Sequence, residues 1–312
     1  MAKRTACFDA AQGAPDCDGL AVARRKEPGM RRRTCFLVAV GLGAVLLTVG
    51  CGDRASRPEV HTASAEEVIA FPVTTTPRLV VDSARGDIVV RSGDAGDTVR
   101  VTATVRAEAE SADAASALLE EIAPSMVQEG DAITLRFCDD SEETATTVDF
   151  AIEVPAHTSI DVSTGEGAIS VFDTASSVVL RTGGGDIEVR TVEGVLDAET
   201  SAGDILFVGR FPPSETDPVE NRMTTRDGLV EVYFEPAYVK IEATAPSGKI
   251  SSEELFTVGG RSDTRWSVKP ANVPVPLSMA DRPPQTKVIV HNETGDIRFI
   301  HINVLERLSN VE

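Results

Sequence analysis

Four aspartates, Asp87, Asp186, Asp204 and Asp296, each follow a glycine and precede an isoleucine. Carboxylates that recur in one frame could hold a row of cations, or act as the acid and base of a polysaccharide-cleaving enzyme. Two observations turn the reading toward structure. Asp beside a tight turn bonds to nearby backbone donors. Calcium-binding repeats need tandem nine-residue G-G-x-G-x-D units, and Gly183-Gly184-Gly185-Asp186 matches a fragment of one once. An active site would also gather unlike groups at one place. The positions after Gly167, Gly185 and Gly203 hold only Ala168, Asp186 and Asp204, with no His, Lys or Arg grouped beside them. The expectation is therefore no catalytic residue, no metal site and no cofactor. The run Asp139-Asp140-Ser141-Glu142-Glu143 reads as a solvated loop rather than a calcium site. His61, His157, His291 and His301 lack zinc-ligand spacing, and no phosphate-binding loop, dinucleotide fingerprint or nucleophile elbow occurs. Trp266, the only tryptophan, lies near Arg261 and Arg265. Aromatic and guanidinium groups together suit carbohydrate or peptide contacts, so these three are the candidate recognition residues; the competing reading is that Trp266 pins an irregular segment onto the body. Cys138 ends an apolar run and reads as a small buried hydrophobe.

The aspartates belong to a repeat. One copy is Thr182-Gly183-Gly184-Gly185-Asp186-Ile187-Glu188-Val189 and the next is Thr200-Ser201-Ala202-Gly203-Asp204-Ile205-Leu206-Phe207. The corner glycines are Gly86, Gly167, Gly185, Gly203, Gly228, Gly295 and, in a degenerate copy, Gly248. Gly167, Gly185 and Gly203 are spaced 18 residues apart. Equivalent places before the corner hold Ile160/Val162/Thr164, Val178/Leu180/Thr182 and Leu196/Ala198/Thr200; after it come Ile169/Val171, Ile187/Val189 and Ile205/Phe207. Both flanks alternate apolar and polar residues, the period of half-buried strands. Glycine at the centre supplies the positive φ of a tight corner. One such unit cannot bury its apolar face alone, whereas copies stacked at a fixed period can. The fold expected is all-β, a β-solenoid or β-helix-like repeat domain with one short capping helix. That helix is placed at 111–122, capped by Ser111 and stopped by Pro124, with Ala115, Leu118, Leu119 and Ile122 at helical spacing. The prolines at 270, 274, 276, 283 and 284 mark 258–285 as an irregular excursion.

The T-x-x-G-D-I-x-V units, with the lead-in Phe150-Ala151-Ile152-Glu153-Val154-Pro155, resemble a bacterial adhesin-like family related to the head domain of auto-transporter adhesins. The resemblance runs from about residue 150 to 299, and more loosely from Leu79 onward. It implies an exported β-solenoid and adhesion as a label, with no demonstrated ligand.

Ahead of the body, Met30-Arg31-Arg32-Arg33 is a basic start, 36–49 is an apolar run shorter than a spanning helix, and Leu47-Thr48-Val49-Gly50-Cys51 follows. This resembles the lipobox of bacterial lipoproteins, which implies that Cys51 is lipidated and becomes the first residue. Gly52 after the cysteine is compatible with outer-membrane sorting. Residues 1–29 are polar and read as a mis-called extension. The organisation expected is leader 30–50, tether 51–77, N-terminal strands with a helix 78–149, and repeats 150–305. The whole chain carries 30 Lys+Arg against 49 Asp+Glu, a formal net charge of −19. The part after Cys51 is more acidic still, because the leader is basic. Such a surface repels nucleic acid. The reading that results is a membrane-anchored envelope protein acting as a non-enzymatic adhesion or interaction module, with an envelope protein or a glycan as partner. A polysaccharide-acting enzyme and an envelope-stress or assembly accessory stay open as alternatives.

Overall fold

The computed structural model describes residues 60–74, 76–93, 96–138, 145–192, 194–211, 219–234, 239–252, 256–257, 262–270 and 286–301. The leader, Cys51 and Arg261 lie outside them, as do the acidic run at 139–143 and residues 302–305 of the repeat region. The described chain is nearly all β, with 21 strands in two large sheets and one helix.

The strand before each corner glycine enters an 11-stranded sheet and the strand after it a 10-stranded sheet. Successive copies then pair in parallel, in the register of the 18-residue period. In Val178–Gly184, Val178 lies between Ile160 and Leu196, Leu180 between Val162 and Ala198, and Thr182 between Thr164 and Thr200. Beyond the corner, Ile187 lies between Ile169 and Ile205, and Val189 between Val171 and Phe207. All of these side chains are buried. A register slip of one residue would turn the whole apolar set outward, so burial holds the pairing.

The spatial order of rungs departs from chain order twice. Arg78–Arg85 and Ile88–Ser92 lie beside Ser159–Glu166 and Ile169–Phe172, and on their other side pair with Ala132–Phe137 and Ala145–Val154. The second departure concerns the degenerate copy. Thr286–Asn292 and Ile297–His301 insert between the rung of Gly228 and that of Gly248. Gly248 therefore marks the last parallel rung.

Both ends finish in antiparallel pairs. At one, Thr98–Ala109 lies between Ala145–Val154 and His61–Pro72, and Ser125–Glu129 pairs with Ala132–Phe137. The helix Ala112–Glu121 packs on His61–Pro72 and Thr98–Ala109, with Ala115 buried and Leu119 and Ile122 against the core. Ser111 caps it, its Oγ accepting the Ala114 N–H at 3.2 Å. His61–Pro72 corrects the expected tether. It is an edge strand paired along its whole length, yet Ala65, Glu66, Glu67 and Val68 are all exposed, so no alternation signals it. Glu67 sits opposite the buried Ala103 and puts a charge on the inner side of the edge, a device that discourages a further strand from adding.

At the other end, Arg265–Pro270 pairs antiparallel with Val239–Thr244. The ladder N–H groups of Ala245 and Ile250 donate to the carbonyls of Thr264 and Asp263 at 2.8 and 3.0 Å. Cys138 is exposed, not buried as expected. The alternation of Ala132–Phe137 places Phe137 inside and so carries the next residue outward.

Candidate interaction face and the corner motif

Each residue of the repeated corner has a structural task. The threonine hydroxyl is buried and donates to the corner carbonyl of the preceding rung: Thr182 to Gly167 at 3.0 Å, Thr200 to Gly185 at 2.9 Å and Thr225 to Gly203 at 3.0 Å. Asn292 does the same to Gly228 at 2.8 Å through its amide. The glycine is needed for space. A Cβ on Gly185 would stand 2.1 Å from the Gly167 oxygen, and one on Gly203 2.1 Å from the Gly185 oxygen. This stack runs through Gly86, Gly167, Gly185, Gly203, Gly228, Gly295 and Gly248 in that spatial order. Gly86, Gly167, Gly203 and Gly228 also have positive φ, but Gly185 is not among them, which corrects the reason expected for glycine there.

The aspartate bridges forward along the same column. Asp186 Oδ1 accepts the Asp204 N–H at 2.8 Å, and Asp204 Oδ1 accepts that of Leu229 at 2.7 Å. Asp87 serves Ala168 and Asp296 serves Lys249, each at 2.9 Å. These N–H groups sit where the chain turns between the sheets, and the carboxylates stand in for the ladder. Among the described residues no group of three or more His, Cys, Asp or Glu converges to hold a metal. Asp204→Ala is expected to cost about 1 kcal/mol, the usual net worth of one such hydrogen bond, with Asp204→Asn costing less because its amide oxygen still accepts. Urea unfolding of both variants checks the order; an asparagine variant as damaged as the alanine one would contradict it.

The two outer faces differ in chemistry. That of the 11-stranded sheet carries an ion network. Glu220 meets Arg222 at 2.7 Å and Lys287 at 3.7 Å, while Glu242 meets Lys240 at 2.6 Å and Lys287 at 2.9 Å. The hydrogen bond from Arg222 holds the Glu220 carboxyl below the usual range, and that from Lys240 does so for Glu242. Glu242 in turn raises the Lys287 ammonium. Charges so matched form a solvated surface.

The outer face of the 10-stranded sheet is different. The fifth residue after six of the seven corner glycines points outward, the one after Gly248 lying outside the described residues; in rung order these are Arg91, Phe172, Arg190, Val208, Tyr233 and Ile300, neighbours across the strands. The four apolar and aromatic members are half-buried, and Leu206 joins them from the adjacent row. The Arg91 guanidinium lies 4.4 Å from the centre of the Phe172 ring, a cation–π contact. Arg190 pairs with Glu188, and Arg298 with Glu231 at 3.4 Å. Toward the Gly248 end, Glu231, Tyr233, Ser251, Ser252, Arg298 and Ile300 line a depression of about 350 Å³.

The signal for this row lies in the sequence. Alternation calls for polar residues at outward positions, and Phe172, Val208, Tyr233 and Ile300 break that rule in one repeated place. Trp266 itself is only 3% exposed and stacks on Phe299 with centroids 6.0 Å apart. Arg265 is exposed beside it. The expected recognition spot on Trp266 is thus not formed, because the ring faces the core. Among the described residues no helix is long and apolar enough to cross a membrane.

No family model and no curated protein matches the chain. Solved structures similar to it include a candidate cell adhesion protein from Clostridium sporogenes, 12% identical, covering 77% of this chain and 100% of that one at a TM-score of 0.41. A candidate adhesin from Bacteroides fragilis is 10% identical over 75% of this chain and 96% of its own, at 0.38. A candidate lipid binding protein from Parabacteroides distasonis is 8% identical over 75% and 96%, at 0.31.

Proposed function

We propose that this chain is an exported, lipid-anchored envelope protein whose body is a β-solenoid acting as a non-enzymatic adhesion or interaction module. The observation that carries the reading is the use already made of the corner carboxylates. Asp87, Asp186, Asp204 and Asp296 each hold a backbone N–H of a neighbouring rung. What the rungs leave available is broad sheet surface, and stacked repeats characteristically offer extended binding faces of this kind. The row from Phe172 to Ile300 gives one face an apolar and aromatic character that the charge-paired opposite face lacks.

The detergent-solubilised chain is expected to show no turnover on a panel of glycans and polyuronates, with or without calcium. Cleavage that disappears in Asp186→Asn or Asp204→Asn would replace the module by the enzyme.

The anchor has its own test. With Cys51→Ser, fatty-acid labelling and removal of the leader are both expected to be lost. A serine variant that is processed normally and still fractionates with membranes would remove the lipoprotein reading.

A further inference from the structure

We infer that the depression beside Tyr233 is a subsite for a neutral saccharide. This rests on the module reading and gives it a ligand class and a place. Tyr233 is half-buried on the outer face between Val208 and Ile300. An aromatic ring held in that way offers an apolar platform to the C–H face of a sugar. The groups around it are those that hydroxyls need. Glu231 accepts, Arg298 donates in a fork, and the Ser251 hydroxyl does both. Arg298 lies across the strands between Glu231 and Ser251, so these groups form one row beside the ring.

Charge selects the class. Glu231 and Arg298 pair at 3.4 Å, so the site presents no net cation to an acidic sugar. The chain as a whole carries −19 and repels polyanions. The volume, about 350 Å³, is at the lower end of those that hold small ligands. Phe172 stands in the same row three strands away, roughly 14 Å at the usual strand spacing. An oligosaccharide lying across the strands would reach both rings, with Val208 and Arg190 between them.

The test uses the solubilised full chain and three neutral probes: cellohexaose, maltohexaose and a β-linked N-acetylglucosamine hexamer. Oligogalacturonate is the acidic arm, and binding is followed by ligand-observed NMR. At least one neutral hexamer is expected to bind, and more tightly than the acidic one. Tyr233→Ala should weaken it by about tenfold or more, the scale of losing a central aromatic anchor, while Tyr233→Phe keeps most of the affinity. Arg298→Ala removes an exposed side chain, tests the fork without touching the core, and is also expected to weaken binding. Arg181→Ala on the opposite sheet should leave it unchanged. The assignment falls if no neutral hexamer binds, if the acidic one binds better, or if Tyr233→Ala and Arg298→Ala are both silent. A chain that neither binds nor cleaves saccharides loses this assignment alone; one that cleaves them loses the module reading as well.

Discussion

Gly185→Val is expected to destabilise the body by about 3 kcal/mol or more, the upper range for forcing extra atoms into a packed site. The first added atom would stand 2.1 Å from the Gly167 oxygen and 2.5 Å from its carbonyl carbon. Those atoms are backbone in a neighbouring rung, so neither can rotate away. The strain also reaches the Thr200 hydroxyl, which donates to the Gly185 carbonyl. In a domain of this size each kcal/mol moves the thermal midpoint by about 2–4 °C, so a shift of about 6–12 °C is expected. Glu188→Val, on the outer face of the following strand, is the control. It loses a surface ion pair with Arg190 and should stay within about 0.5 kcal/mol. Equal midpoints for the two variants would refute the glycine column.

Trp266→Ala is expected to cost about 3–5 kcal/mol, the range for truncating a buried tryptophan. The ring stacks on Phe299, which meets Phe234 at 6.5 Å; Phe234 meets Phe211 at 5.9 Å, and Phe211 stacks on Phe207 at 4.8 Å. This aromatic line fills the interior of the last rungs, and Trp266 closes it. The backbone just ahead of the ring also accepts the last ladder N–H groups, at Thr264 and Asp263. Loss should therefore be local before it is global. Hydrogen exchange in Val239–Thr244 and Ile250–Ser252 should accelerate ahead of Val178–Gly184 and Leu196–Ala202. Unchanged stability with uniform protection would mean that the ring caps nothing.

The rung itself could be read from the sequence. Strict alternation around each corner specified which side chains turn inward, and the 18-residue period specified which residues would pair, because only that register buries Val178, Leu180 and their counterparts together. The capping role of Ser111 was equally local, since it depends on residues within one turn. Of the candidate site, the signal was present as apolar residues at the fifth place after the corner. It could not be distinguished from core residues without knowing that these positions face outward on neighbouring strands.

For the copies of Gly86, Gly295 and Gly248, the tertiary structure alone decided which copy lies beside which. Every rung carries the same corner glycine and the same alternation, so the motif cannot say that Gly295 precedes Gly248 in space. That order depends on connections long enough to return and on segments able to cap an end. The same holds for His61–Pro72, whose strand character comes from the partner Thr98–Ala109 rather than from its own pattern, and for Trp266, whose burial depends on Phe299 being brought against it. It holds also for Gly185, where the need for glycine arises from the carbonyl of a residue 18 positions earlier, a distance that only stacking reduces to contact. Local pattern specifies the unit because its causes lie within a few bonds; the order of units and the character of their outer faces follow from non-local contact.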